Sequence, residues 1–452
     1  MRSPREFAEC VERPPFVLRL AENLARPKAL LVPVAALLTG VALLLLGNGL
    51  FLTLVPLRAD LEGFNAAWIG AIGAAYSVGF VVGCYLVPPL VERVGHIRVY
   101  AAFAALGAVV PLLHLLALTP VAWIVFRMLT GLCFSGLYMV IESWLNGAST
   151  RQTRGTIFSA YIMVNLTAIT LGQYLILLEE PGSEKLFSLA AILFALAVIP
   201  VCLTRSSSPP LPVEARPDLR KLWNNSQVAV MGCFTNGMAN GAIWSLAPVY
   251  AKNLGLSLTG IAIFVSLAIV GGAVVQYPLG RLSDRLSDRR WLIVAVCATA
   301  SVAGLILIMA AHLPIHIVYV AIFLFGAAAF SLYGFCVAHA NDYGSADEFV
   351  EISAGLLLVF GAGAVTGPLV ASAMMEALGF AFLFLFTSIV HGAMALLTFW
   401  RMKRREAVAP EDRENYVPMT RTSPNIFSFD PRAENHADEE TDKSLAKTEP
   451  GD

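Results

Sequence analysis

Glu142 is the acid that stands deepest inside an apolar stretch of this sequence, and Arg127 is the matching base fifteen residues earlier. At about 100° per residue the two fall on nearly one helix face, yet about 22 Å of rise separates them, so they cannot pair directly. A carboxylate withdrawn from water is a candidate to carry a proton; the plainer alternatives are a gate salt bridge or a hydrated interfacial acid. An arginine inside an apolar stretch faces a cavity or a partner, or snorkels to the nearer surface. A second group is amide and aromatic. Asn236 and Asn240 are four residues apart, hence on one face, and Trp244 continues the stripe. Such a stripe could hold a solute, or its asparagines could cross-link helices. Asn48, Tyr138 and Tyr333 stand in other apolar stretches, with Asn165, Gln173 and Gln276 as further polar candidates, and His339 is the histidine best placed for proton work. No cluster of His, Asp or Glu gathers at one edge and no phosphate-cradling loop is present, so an enzyme is not expected.

The elements that carry these residues must lie in lipid. The chain has 452 residues, 57% hydrophobic and 14% charged, with a mean hydropathy of +0.70; a soluble protein carries about 25% charged residues. A net charge of −1 gives no field to recruit nucleic acid. The seven cysteines are scattered and read as packing residues, not disulfides or metal ligands, and no cofactor is implied. Residues 1–28 are broken by charges and prolines and do not read as a signal peptide.

Apolar stretches of roughly 20 residues or more recur at about 30–57, 65–90, 97–118, 121–144, 154–178, 185–204, 226–250, 257–280, 290–311, 316–338, 350–375 and 378–400. The predicted fold is therefore an all-α integral membrane protein with twelve transmembrane helices. The domains are a cytoplasmic segment 1–28, a six-helix half 29–204, a polar, Pro-rich cytoplasmic linker 205–225, a second half 226–401, and a cytoplasmic tail 402–452 expected to be disordered. Lys and Arg gather in alternate loops, among them Arg93, Arg154, Arg285 and Arg290, which predicts both termini on the cytoplasmic side of the cell (inner) membrane.

The halves are related by repetition. Asn48-Gly49, Thr53-Leu54 and Pro56 correspond to Asn240-Gly241, Ser245-Leu246 and Pro248 at an offset of 192, as Tyr85, Leu90, Glu92 and Arg93 do to Tyr277, Leu282, Asp284 and Arg285. Further on, Leu137-Tyr138, Asn146 and Gly172 match Leu332-Tyr333, Asn341 and Gly367 at 195. Two six-helix pseudo-repeats in parallel topology follow, related by an axis along the membrane normal.

Gly280-Arg-Leu-Ser-Asp284-Arg285 followed by Asp288-Arg289-Arg290 resembles motif A of the major facilitator superfamily. Its glycine would let helices approach closely, and its acid would meet the N-terminus of a facing helix. The first-half copy is degraded, with Pro88 for the glycine and Glu92 for the acid. Arg127-Met-Leu-Thr-Gly131 resembles motif B in part, Arg154-Gly155 resembles the Arg-Gly that follows span four, and Gly363 to Gly367-Pro368 looks like a motif C displaced to span eleven. The sequence around Tyr138 to Glu142 and Trp144 is similar to the YcaD-like bacterial branch.

The resemblance implies a secondary active transporter of a small-molecule substrate, monomeric in the lipid bilayer, working by alternating access, with proton coupling left open. It implies a cavity lined by Asn48, Arg127, Tyr138, Asn236, Asn240, Trp244 and Tyr333, with Glu142 and His339 as proton-coupling candidates. Gating falls to Asp284, Arg285, Glu92, Arg93 and Arg154, with Asp284 expected near Arg151 or Arg154 when the cytoplasmic side is closed. The alternatives are a transport-dead sensor or lipid-handling relative and, more remotely, a membrane-embedded transferase.

Overall fold

The computed structural model describes residues 16–150, 153–203, 218–344 and 348–409, together with 413, 416, 422 and 423; side chains are described from residue 34 onward. Polar residues that precede apolar runs start the helices. Asn65 accepts from the Trp68 N–H at 3.0 Å, and Thr119, Ser226 and Ser257 cap in the same way. The first half comprises α1 (Phe16–Leu61), α2 (Ala66–Val94), α3 (His96–Leu116), α4 (Pro120–Gly147), α5 (Arg154–Tyr174) and α6 (Glu184–Cys202). The second comprises α7 (Gln227–Asn253), α8 (Leu258–Arg285), α9 (Arg290–Ile308), α10 (Ile315–Asn341), α11 (Phe349–Leu378) and α12 (Phe382–Met402). Between α2 and α3 only Gly95 intervenes, at φ 86°, a conformation that favours glycine.

Eleven of these helices, among the described residues, are long and apolar enough to cross a membrane. The twelfth, α7, has 27 residues, about 40 Å of rise, but Thr235, Asn236, Asn240 and Ser245 make it too polar for that criterion. It is nonetheless largely buried in the bundle, with Asn236 and Asn240 among its buried residues. A polar helix is tolerated there because protein, not lipid, surrounds its side chains.

The repeat is built into the packing. Gly49 of α1 lies against the Ile169 carbonyl and Gly172 of α5, and its counterpart Gly241 of α7 lies against the Ala364 carbonyl of α11. Gly79 and Gly131 face the backbone of Met128 and Tyr76 where α2 crosses α4; Gly271 and Gly326 face that of Phe323 and Ala268 where α8 crosses α10. A Cβ at any of these positions would collide with the facing chain, so the same two close crossings recur in each half.

The bundle has one end carrying Arg93, Arg98, Arg154, Arg281, Arg285 and Arg401, the basic end, and a far end where the halves touch. Lys252 pairs with Asp60, its repeat counterpart; the Ala66 N–H donates to Glu376 Oε2 at 3.0 Å; Gly70 packs on Ser372 and Gly73 on Ser245. Of the linker, residues 205–217 lie outside the described residues, as do Arg151 and residues 345–347. The remainder forms a short helix (Leu219–Asn225) tied to the start of α11 by a 2.7 Å Lys221–Glu348 pair.

Candidate functional site

Glu142 is completely buried near the basic end of α4. Its Oε1 accepts from the Tyr161 hydroxyl of α5 at 2.9 Å and from the Thr422 hydroxyl; its Oε2 accepts from the Ser423 hydroxyl. Tyr138, one turn earlier on α4, hydrogen-bonds the Asn165 side chain and packs on Phe80 and Phe134. Three hydroxyls thus satisfy a carboxylate for which the sequence offered a proton, a gate salt bridge or interfacial water. Two of them come from the tail, which was expected to be disordered but whose Thr422 and Ser423 are buried in the bundle. Nothing in the tail's polar composition signalled these residues.

Arg127 is 5% exposed and lies over the rings of Tyr76 (4.8 Å to the centroid) and Phe51 (5.5 Å). Its Nε and Nη1 have no hydrogen-bond partner within the described residues. The aromatic faces offset part of the cost of burying the charge, but they leave hydrogen-bonding capacity unused.

The second-half stripe divides. Asn236 donates to the Ala329 carbonyl, which faces the interruption of α10 at Phe330 and Ser331, so it stitches a helix break. Asn240 turns back onto Asn236, donating to its backbone oxygen at 2.9 Å and to its Oδ1 at 3.1 Å. The Oδ1 atoms of Asn48 and Asn240 are buried without a hydrogen-bond partner among the described residues. Trp244 stacks on Phe330 (5.8 Å, interplanar 8°) and, with Leu52 and Thr53 of α1 and Pro248, Val265 and Phe264, lines a narrow apolar crevice between the halves. Tyr333 meets Phe360 of α11 edge-on. Asn48 and Asn240 are each 2% exposed, so neither faces lipid. Arg127 lies among aromatics of the first half and does not line the Trp244 crevice between the halves.

Among the gate residues, Asp284 accepts from Arg289 at 3.3 Å and from the Tyr416 backbone N–H at 2.9 Å, while the buried Arg289 also pairs with Asp342 at 3.3 Å. Gly280 meets the Tyr416 ring, where the sequence suggested a neighbouring helix. Arg154 donates to the Ser149 hydroxyl at 3.4 Å. Glu92, Arg93 and Arg285 are exposed on the basic surface. His339 sits edge-on to Tyr343, beside Arg289, Arg290 and Arg405. In α11, Gly363 and Gly367 lie against the Phe234 and Met238 carbonyls of α7, which makes the displaced motif C a helix-packing element.

The sequence matches the family model of the Major Facilitator Superfamily over residues 37–348 and 229–431. It is 26% identical over 350 residues to an uncharacterized MFS-type transporter of Yersinia pestis (strain Pestoides F), covering 76% of this chain and 89% of the relative. It is 28% identical over 346 residues to the uncharacterized MFS-type transporter YcaD of Escherichia fergusonii, with the same coverage. The fold is similar to that of the nucleoside transporter NupG (TM-score 0.63, 16% identity, 82% of this chain and 98% of that one). It is also similar to a bacterial homolog of the human lysosomal transporter Spinster (TM-score 0.68, 13% identity, 85% and 98%). With its twelve helices in two repeated halves and its motif beginning at Gly280, the chain belongs to the Major Facilitator Superfamily.

Proposed function

We propose that the protein is a secondary active transporter that moves a small solute with an anionic group by alternating access, and that this structure is its state open toward the cytoplasm. The basic end is taken as cytoplasmic because Lys and Arg accumulate on that side of membrane proteins. The observation that carries the solute class is Arg127, a buried cation with two nitrogens that have no hydrogen-bond partner and no carboxylate paired with it among the described residues. A buried guanidinium in this setting favours a carboxylate or phosphate group from outside the protein. Asn48 and Asn240, at equivalent repeat positions, have buried amide oxygens without a hydrogen-bond partner among the described residues, which could accept from a donor group of the solute. The contacts between halves at the far end support the assignment of state, since rocking about the axis closes one end as it opens the other. Glu142 is assigned to proton exchange on the cytoplasmic side.

Uptake of labelled anionic and neutral solutes into proteoliposomes, with and without a proton gradient, tests the reading. Uptake of an anionic solute that falls at least about tenfold in Arg127→Ala, the loss of about one charge-assisted contact, is the expected result. Undiminished uptake in that variant would remove the case for an anionic solute.

A further inference from the structure

The tail touches both halves at the basic end. Arg413 Nη2 donates to the Ser287 carbonyl at 2.7 Å, just beyond α8. The Tyr416 ring enters a slot between α8 and α10, where Gly280 and Gly334 have no side chain; a Cβ at either would run into that ring. Three contacts fix it: Gln276 Nε2 donates to its hydroxyl at 3.3 Å, Phe335 packs 5.2 Å away, and Asp284 accepts from its N–H. Six residues further along the sequence, a reach of at most about 21 Å, Thr422 and Ser423 donate to Glu142 in the other half. Ser423 and Glu142 are fully buried and Thr422 is 9% exposed.

We propose that Gln276, Gly280, Asp284 and Gly334 of the second half and Glu142 and Tyr161 of the first form a binding site for the chain's own Tyr416, Thr422 and Ser423, a tethered plug that holds the protein open toward the cytoplasm. The site takes a ring in a glycine slot on one side and a pair of hydroxyl donors on a carboxylate on the other. Because its two parts belong to different halves, a seated tail keeps α4 apart from α8 and α10, helices that must approach one another for this end to close. When the tail leaves, Glu142 loses two of its three donors and becomes open to water, protons and solute. Tethering keeps the segment at an effective concentration on the order of millimolar, so modest affinity suffices to populate the plugged state. The state named here is that of the alternating-access reading; the contacts themselves do not depend on it.

The test reads cysteine accessibility in the full chain and needs no solute. Ser423→Cys and the exposed Lys403→Cys are labelled from the basic side with a membrane-impermeant maleimide and quantified residue by residue by mass spectrometry. A seated tail leaves Ser423→Cys at least about ten times slower than Lys403→Cys, and Tyr416→Ala, a change in the tail that leaves every helix intact, removes that protection. Gly334→Leu, which fills the slot, has the same effect. In addition, Tyr416→Ala raises labelling of Ala247→Cys, which lines the crevice behind the sealed far end, several-fold from the far side. Equal labelling of Ser423→Cys and Lys403→Cys, or protection that survives Tyr416→Ala, would overturn the binding site. Unchanged labelling of Ala247→Cys in Tyr416→Ala would overturn the holding role. A protein that passed these tests but moved no solute would lose the transport reading and keep the plug.

Discussion

The two ends of the bundle join the halves by different means. At the far end helix meets helix: Gly70 and Gly73 of α2 admit Ser372 of α11 and Ser245 of α7, and Asp60 pairs with Lys252. At the basic end the glycines of α8 and α10, Gly280 and Gly334, admit the ring of Tyr416 instead. The same residue type at a helix surface makes a helix crossing in one place and a receptor for an incoming segment in the other. What differs is which partner the rest of the chain delivers. A near-symmetric repeat therefore yields two unequal ends, one of direct packing and one mediated by residues of the tail.

A wedge at the far end breaks this contrast most strongly. Gly73→Leu places a branched side chain where Ser245 now sits, and overpacking of this kind costs about 1–3 kcal/mol. The equilibrium should shift by about tenfold or more toward the state open at the far end, read as faster labelling of Ala247→Cys from that side. A smaller effect is expected from Asp284→Asn, which replaces a charged acceptor of the Tyr416 N–H and of Arg289, at about 1 kcal/mol for a partly exposed group. Labelling of Ser423→Cys should rise about fivefold in that variant. Glu92→Gln, the repeat counterpart on the exposed surface, should stay within about 0.5 kcal/mol and leave the labelling unchanged; equal responses would erase the asymmetry. Among the variants expected to change a reading, Lys252→Met is the smallest. Its pair with Asp60 is partly exposed (37% and 26%), so a loss of about 0–1 kcal/mol should show as a slight rise in far-side labelling and no change at Ser423→Cys.

Much of the candidate site was visible before folding as residue types, though not as partnerships. Asn236 and Asn240 were predicted to share a face, and they do, but they turned to each other and to the Ala329 carbonyl. A stripe on a helix says which residues can meet a neighbour, not which neighbour has an unsatisfied group. Arg127 was placed inside a span correctly, yet its partners are the rings of Phe51 and Tyr76 from two other helices. The motif A glycine carried its spacing in the sequence; its occupant stands well over a hundred residues away.

By itself the sequence determined the twelve-helix membrane architecture, the basic end and the two repeated halves. Each is written locally or at a fixed offset. Apolar length is set by bilayer thickness, basic loops alternate with span count, and glycines recur wherever two backbones must touch, as at Gly49 and Gly241. Only the tertiary structure decided what lies against Glu142. Thr422 and Ser423 sit in a polar tail without hydrophobic periodicity, where a hydroxyl bound for a buried carboxylate looks like any solvated one. Their place follows from the slot that α8 and α10 leave for Tyr416, and that slot exists only once both helices have packed.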